Sequence, residues 1–128
     1  CLVIRDPFEL FVAQSVALDG LLYPLVYERI VDDHISVRGG TAVAMLTQFM
    51  SDWFDETRKW VDAVLKVAAA ESDANREVLQ EWTQAWSARA ASAMVPIVEL
   101  ALGADADDAV GEQLAAFKAR IAKTGITL

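Results

Sequence analysis

One histidine, His34, and one cysteine, Cys1, are all the imidazole and thiol groups in this chain, so metal and nucleophile chemistry can be tested residue by residue. A di-iron carboxylate site in a helical bundle needs glutamates from two helices and Glu-x-x-His from two more. Val31 stands three residues before His34, Val12 stands three after Glu9, and Glu28 lies six from His34. No Glu-x-x-His can be written. Asp32-Asp33-His34 could bind a metal weakly, but such a trio reads more simply as a solvated helix end.

Nucleophilic catalysis has equally little to work with. Ser15 sits inside an apolar helix, and His34 is the sole candidate base. There is no G-x-S-x-G elbow, phosphate-cradling loop or dinucleotide fingerprint. Gly39-Gly40 reads as a turn between helices. Four tryptophans fall in pairs, Trp53 and Trp60 seven apart, Trp82 and Trp86 four apart. They could line an apolar ligand pocket; packing between long helices, with each indole N–H finding a polar partner, is the simpler reading. Some could also anchor a subunit contact.

The elements carrying these residues are all helical. Asp6-Pro7 is a cap followed by proline in the first turn, and the first helix is expected to run to about Asp32 with a bend at Pro24. Thr41 is expected to cap a second helix reaching about Ala70. Its apolar side is Val43, Leu46, Phe49, Met50, Trp53, Trp60, Val61, Val64 and Ala68. Asp55–Lys59 and Asp62–Lys66 have the spacing and order of helical ion pairs. A third helix starts at Ser72 or Asp73 and ends at Gly103, with a kink expected at Pro96. Its inward side reads Val78, Leu79, Trp82, Trp86, Ala90, Met94, Ile97, Val98 and Ala101. The last helix begins near Asp105 to Asp108, turns Val110, Leu114, Phe117 and Ile121 to one side, and stops at Gly125. Lys118, Arg120 and Lys123 lie near its end, where the helix dipole favours cations. No strand pattern or repeat interrupts this all-α reading of a single domain over 1–128.

Composition sets further limits. Hydrophobic residues make up 55% of the chain, above the usual 45–50% or so. Residues 7–30 are apolar on nearly every side at α-helical spacing, so that segment requires cover all round, presumptively from outside the chain. The net charge of −8, 19 acids against 11 bases, argues against nucleic acid. Asp19 divides the greasiest run into pieces short of a membrane span. No signal peptide pattern is present. A single cysteine gives no internal disulfide and makes the cytoplasm the default compartment. Cys1 invites a lipoprotein reading, but Leu2-Val3-Ile4 is no polar tether. The missing initiator Met suits the tail of a longer polypeptide.

Three stretches carry a resemblance: Val3-Ile4-Arg5-Asp6-Pro7-Phe8-Glu9-Leu10, then Ala13-Gln14, Leu18-Asp19-Gly20-Leu21-Leu22 and Pro24-Leu25-Val26-Tyr27, then the second helix and its turn into the third. Residues 3 to 103 are similar to the C-terminal portion of the β subunit of bacterial multicomponent monooxygenase hydroxylases, the phenol, toluene, alkene and propane oxygenases. The likeness fades in the last helix. It implies a ferritin-like helical subunit without metal or catalytic residues of its own. The di-iron centre would lie in an α subunit, within an α2β2γ2 assembly that includes a γ subunit and a second β subunit. An NADH reductase and a coupling protein would act on that assembly. In such a scaffold Phe8, Phe11, Leu22, Tyr23, Tyr27, Trp53 and Trp60 are expected to serve subunit or inter-helix packing. A free-standing helical module that binds an apolar ligand is the alternative.

Overall fold

The computed structural model describes residues 4–128; Cys1, and with it the lipoprotein question, lies outside the described residues. Among these residues the chain forms three continuous helical runs and no strand. The first, α1, is Pro7–Arg38. The second, α2, is Thr41–Glu71. The third divides into α3, Asp73–Leu102, and α4, Ala106–Ala122, across a 3-10 turn at Gly103–Asp105.

Local chemistry explains the boundaries. Asp6 Oδ1 accepts from the backbone N–H of Phe8 at 2.7 Å and of Glu9 at 3.3 Å, as the cap requires. Gly39, at φ 96°, takes the left-handed conformation that stops α1. That end comes at Arg38, six residues past the expected Asp32. Gly40, not Thr41, holds the cap position of α2, and no side chain caps it. Ser72 caps α3 by accepting from Asn75 N–H at 3.1 Å. Pro96 lies within α3 without ending it.

The unusual element is α1. Val12–Leu18 and Pro24–Ile35 are π-helical, with short α segments at Pro7–Phe11 and Asp19–Tyr23. A π turn closes i→i+5 bonds and holds one more residue than an α turn. Burial follows that wider winding: Val12/Ala13, Val16/Ala17, Gly20/Leu21 and Pro24/Leu25 recur every four residues, and Ile30/Val31 continue the face. At 3.6 residues per turn the same residues spiral around the axis, so the segment reads as apolar on every side. The structure corrects that reading. One broad face of α1 is buried, and it is α2, α3 and α4 of this chain that cover it.

Two core clusters result. The larger joins Val12, Val16 and Leu21 of α1 to Val61 and Leu65 of α2, Leu79 and Ala90 of α3, Phe117 and Ile121 of α4, and Ile126. The smaller joins Leu25 to Met94, Val98, Ala106 and Ala109. On α3 the buried face includes Thr83 and Ser87, small residues that satisfy their hydroxyls on Leu79 O and Gln84 O. Val78 and Ile97, expected inside, are 40% and 50% exposed. By length and composition α1 and the run from Asp73 to Ala122 would suffice to cross a membrane, which corrects the expectation drawn from Asp19. The buried four-residue face of α1 is what a core helix shows.

Candidate functional site: an exposed aromatic seam

Among the described residues no three His, Cys, Asp or Glu side chains converge. His34 lies at the end of α1, where its backbone carbonyl accepts from Arg38 Nη1 at 3.1 Å. The donor set therefore does not fit a di-iron centre.

The surface offers more. On α2 most of the large side chains on the expected apolar side face outward. Val43 is 44% exposed, Leu46 75%, Phe49 65%, Trp53 and Trp60 51% each, and Val64 39%. The buried side of α2 is Phe54, Leu65 and Ala69, with Val61 from the expected apolar side. The outward residues obey a heptad: Val43, Met50, Thr57 and Val64 recur every seven residues, and Leu46, Trp53, Trp60 and Val67 follow each by three. That is the a/d spacing of a helix–helix seam. From Val43 to Val67 it runs about 36 Å at 1.5 Å rise per residue. At 150–250 Å² per aromatic side chain, Phe49, Trp53 and Trp60 alone leave roughly 350 Å² in the open. An apolar patch of that size on one stripe marks an interaction surface. Its transfer from water represents about 9 kcal/mol before association entropy is subtracted.

Aromatic contacts fix the border with α1. Phe8 and Phe11 meet edge to face at 5.3 Å, and Phe11 lies 5.9 Å from Trp60. Tyr23 touches Tyr27 at 5.3 Å and Trp53 at 5.6 Å, and stacks on buried Phe54 at 5.0 Å. Six of the seven residues expected to serve packing thus gather along one α1–α2 rim. Leu22 stands apart, against the smaller core cluster. Trp86 belongs to neither: its indole N–H donates to Glu9 at 3.0 Å and Arg89 lies over its ring.

Behind the seam, a buried ion pair locks the fold. Arg120 Nε donates to both carboxylate oxygens of Asp62, at 2.9 and 3.2 Å. Burial lowers the guanidinium pKa, and Asp62 opposes that fall. Asp62 is therefore unavailable to Lys66, and Asp55 pairs with Arg58 and Glu56 with Lys59 in place of the expected Asp55–Lys59 pair. Arg120 keeps its place in the last turn of α4 as expected. Sequence reasoning missed this pair because its members lie 58 residues apart.

The ligand-binding alternative predicts a cavity beside the tryptophans. Trp82 does edge a groove of about 270 Å³ with Phe8, Leu79, Val78, Asp6 and Glu71. It is open, carries two carboxylates, and falls below the roughly 300–1,000 Å³ of ligand pockets.

A model of the methane/phenol/alkene hydroxylases matches residues 1–72, which hold α1, its aromatic rim and all of α2. The chain belongs to this hydroxylase family. It is 49% identical over 124 residues to the phenol 2-monooxygenase oxygenase component DmpL of Pseudomonas sp. strain CF600, covering 97% of this chain and 36% of that protein. To the corresponding component MhpL of Acinetobacter pittii strain PHEA-2 it is 40% identical over 104 residues, covering 81% and 31%. The crystal structure of xenon-pressurized phenol hydroxylase from Pseudomonas sp. OX1 superposes with a TM-score of 0.90 at 38% identity, over 99% of this chain and 38% of that one. The fold is accordingly ferritin-like, and the chain spans about a third of each such relative, 31% to 38%. The family likeness extends through α4, beyond the point where the sequence resemblance faded.

Proposed function

We propose that this chain is a non-catalytic structural part of the β subunit of a di-iron hydroxylase, an assembly that oxidises phenol or small hydrocarbons with O2 and electrons from NADH. The carrying observation is a hydroxylase fold in a chain without any Glu-x-x-His, whose described residues bring no cluster of three donors together. Iron would then belong to an α subunit. This chain would hold the helices of its partners (α, γ and a second β subunit) in place, while the reductase and coupling protein act on the assembly. The exposed seam on α2 supports a scaffold, because a long apolar stripe at heptad spacing suits a helix–helix contact. A cytoplasmic location suits the single cysteine. Substrate choice between phenol, toluene, alkene and propane would rest with the α pocket.

Native mass spectrometry with iron analysis, on the protein purified from its own cells, tests this. A large complex with iron in a bigger partner and none in this chain is expected. A stable iron-free monomer overturns the proposal and returns attention to the groove at Trp82.

A further inference from the structure

Away from the seam, one polar atom lacks what the rest of the fold supplies. Among the described residues Arg120 Nη2 is the single buried side-chain nitrogen or oxygen without a hydrogen-bond partner. Such a group in a folded protein marks strain or the place of something that completes it. Arg120 lines a half-open crevice of about 140 Å³ between α1, α2 and α4. Buried Gly20, Pro24, Phe54 and Phe117 form its walls, and Glu28, Arg58 and Gln113 complete its polar side. Each ring keeps a guanidinium near its face, Arg58 at 5.7 Å from Phe54 and Arg120 at 5.8 Å from Phe117.

Size and charge select an occupant. The crevice is too small for the ligands that fill pockets of roughly 300–1,000 Å³. An engineered apolar cavity of about 150 Å³, however, admits benzene. One ring is the right scale. An anion is disfavoured: Arg58 is already paired with Asp55 and Arg120 with Asp62, while Glu28 has no ion-pair partner among the described residues. An ammonium group would meet two guanidiniums. Water could serve the polar side, but it would leave the faces of Phe54 and Phe117 wet. A phenolic hydroxyl accepts from a guanidinium N–H and donates to a carboxylate at the same time, while its ring covers the apolar walls. Burial, and after it Asp55, raises the Glu28 pKa, so an added donor would stabilise its carboxylate.

From this we infer that the crevice binds a one-ring hydroxyarene, its ring against Phe54 and Phe117 and its hydroxyl shared by Glu28 and the Arg120 guanidinium. No chemistry takes place there; the site is separate from any iron. Binding stands on the crevice alone, whereas its role as an effector site, for the class of molecule the assembly oxidises, rests on the hydroxylase reading.

Fluorine NMR titration of 4-fluorophenol into the purified hydroxylase tests it. One saturable bound signal per copy of this chain is expected, beyond any at the iron-bearing subunit. Ala116 lies exposed at the rim, so Ala116→Phe should block the crevice and abolish that signal without touching the core, and Ala116→Ser should keep it. Glu28→Gln keeps the shape and weakens the acceptor, so it should loosen binding about tenfold. 4-Fluorotoluene, which has no hydroxyl, should also bind about tenfold more weakly. Absence of the signal, its survival in Ala116→Phe, equal binding of 4-fluorotoluene, or preference for 4-fluorobenzoate each overturns the inference and leaves an iron-bearing complex, and the scaffold reading, intact. If the chain proves to be an iron-free monomer, the same titration on that monomer decides the crevice, and only the effector role falls with the scaffold reading.

Discussion

At the scale of single residues, Arg120 carries the largest local stake. Its guanidinium is mostly buried, its Nη2 has no partner, and Asp62 supplies the one opposite charge bonded to it. Asp62→Ala should therefore destabilise the chain by about 3–5 kcal/mol, the cost of a buried charge left alone, read as a shift in the urea midpoint. Gly20 is bound to the same pair. A Cβ there would lie 2.8 Å from Arg120 Nη1 and 3.1 Å from the Phe117 ring. Gly20→Ala should cost about 1–3 kcal/mol through overpacking. Two carboxylates act in the opposite sense. Burial raises the Asp19 pKa against a lowering bond from Gln14, and burial followed by the nearby Asp55 raises that of Glu28. An acid with a folded pKa above its unfolded one costs stability when ionised; the cost is full above the folded value and gone below the unfolded one. Lowering the pH from neutrality into the carboxylate range should relieve that cost, and Asp19→Asn with Glu28→Gln should remove this part of the pH response in equilibrium unfolding.

The four-residue repeat makes its own prediction at the scale of elements. Leu21→Ala and Leu25→Ala, on the buried face of α1, should each cost about 2–5 kcal/mol in urea unfolding. Leu10→Ala, off that face and 44% exposed, should cost well under half as much. Equal costs would restore the picture of a helix covered on all sides. Several helix ends are legible in the sequence because caps and turns are local: Asp6, Ser72 and Gly103 start or stop helices through their own backbone chemistry, whereas α1 overruns its expected end by six residues to reach Gly39. The faces were less so. On α1 the wrong period was applied, since nothing in composition announces an i→i+5 ladder. Gln113 Nε2 donates to the carbonyl of Gly20, the group Pro24 cannot serve, across 93 residues of sequence, a repair no local pattern could reveal. On α2 the apolar stripe is legible from its spacing, but periodicity says only that a stripe seeks cover and not which chain supplies it.

For the whole molecule, the balance of apolar surface decides behaviour. With one broad face of α1 covered by its own chain, much of the excess hydrophobicity noted in the composition sits on the outward side of α2. Taken alone, the chain should self-associate through the seam. Leu46→Glu with Trp60→Glu should reduce that association in sedimentation experiments without unfolding the bundle, because neither side chain belongs to its core clusters. The same pair of changes should weaken recovery of the hydroxylase complex. The candidate site was half visible from sequence: Trp53 and Trp60 were picked out, but their grouping with Phe11 and Tyr23 needed the fold to bring α1 alongside.

The wide winding of α1 also bears on how such chains diverge. A π turn is an α turn holding a supernumerary residue, so a descendant that loses one amino acid between Val12 and Leu18 can tighten to α-helix and keep its hydrogen bonds. What it cannot keep is register, since every side chain beyond the deletion swings by about 100° relative to its neighbours. Lineages of this fold should thus tolerate single-residue length changes in α1 only as compensated pairs, one loss matched by one gain further along the same helix.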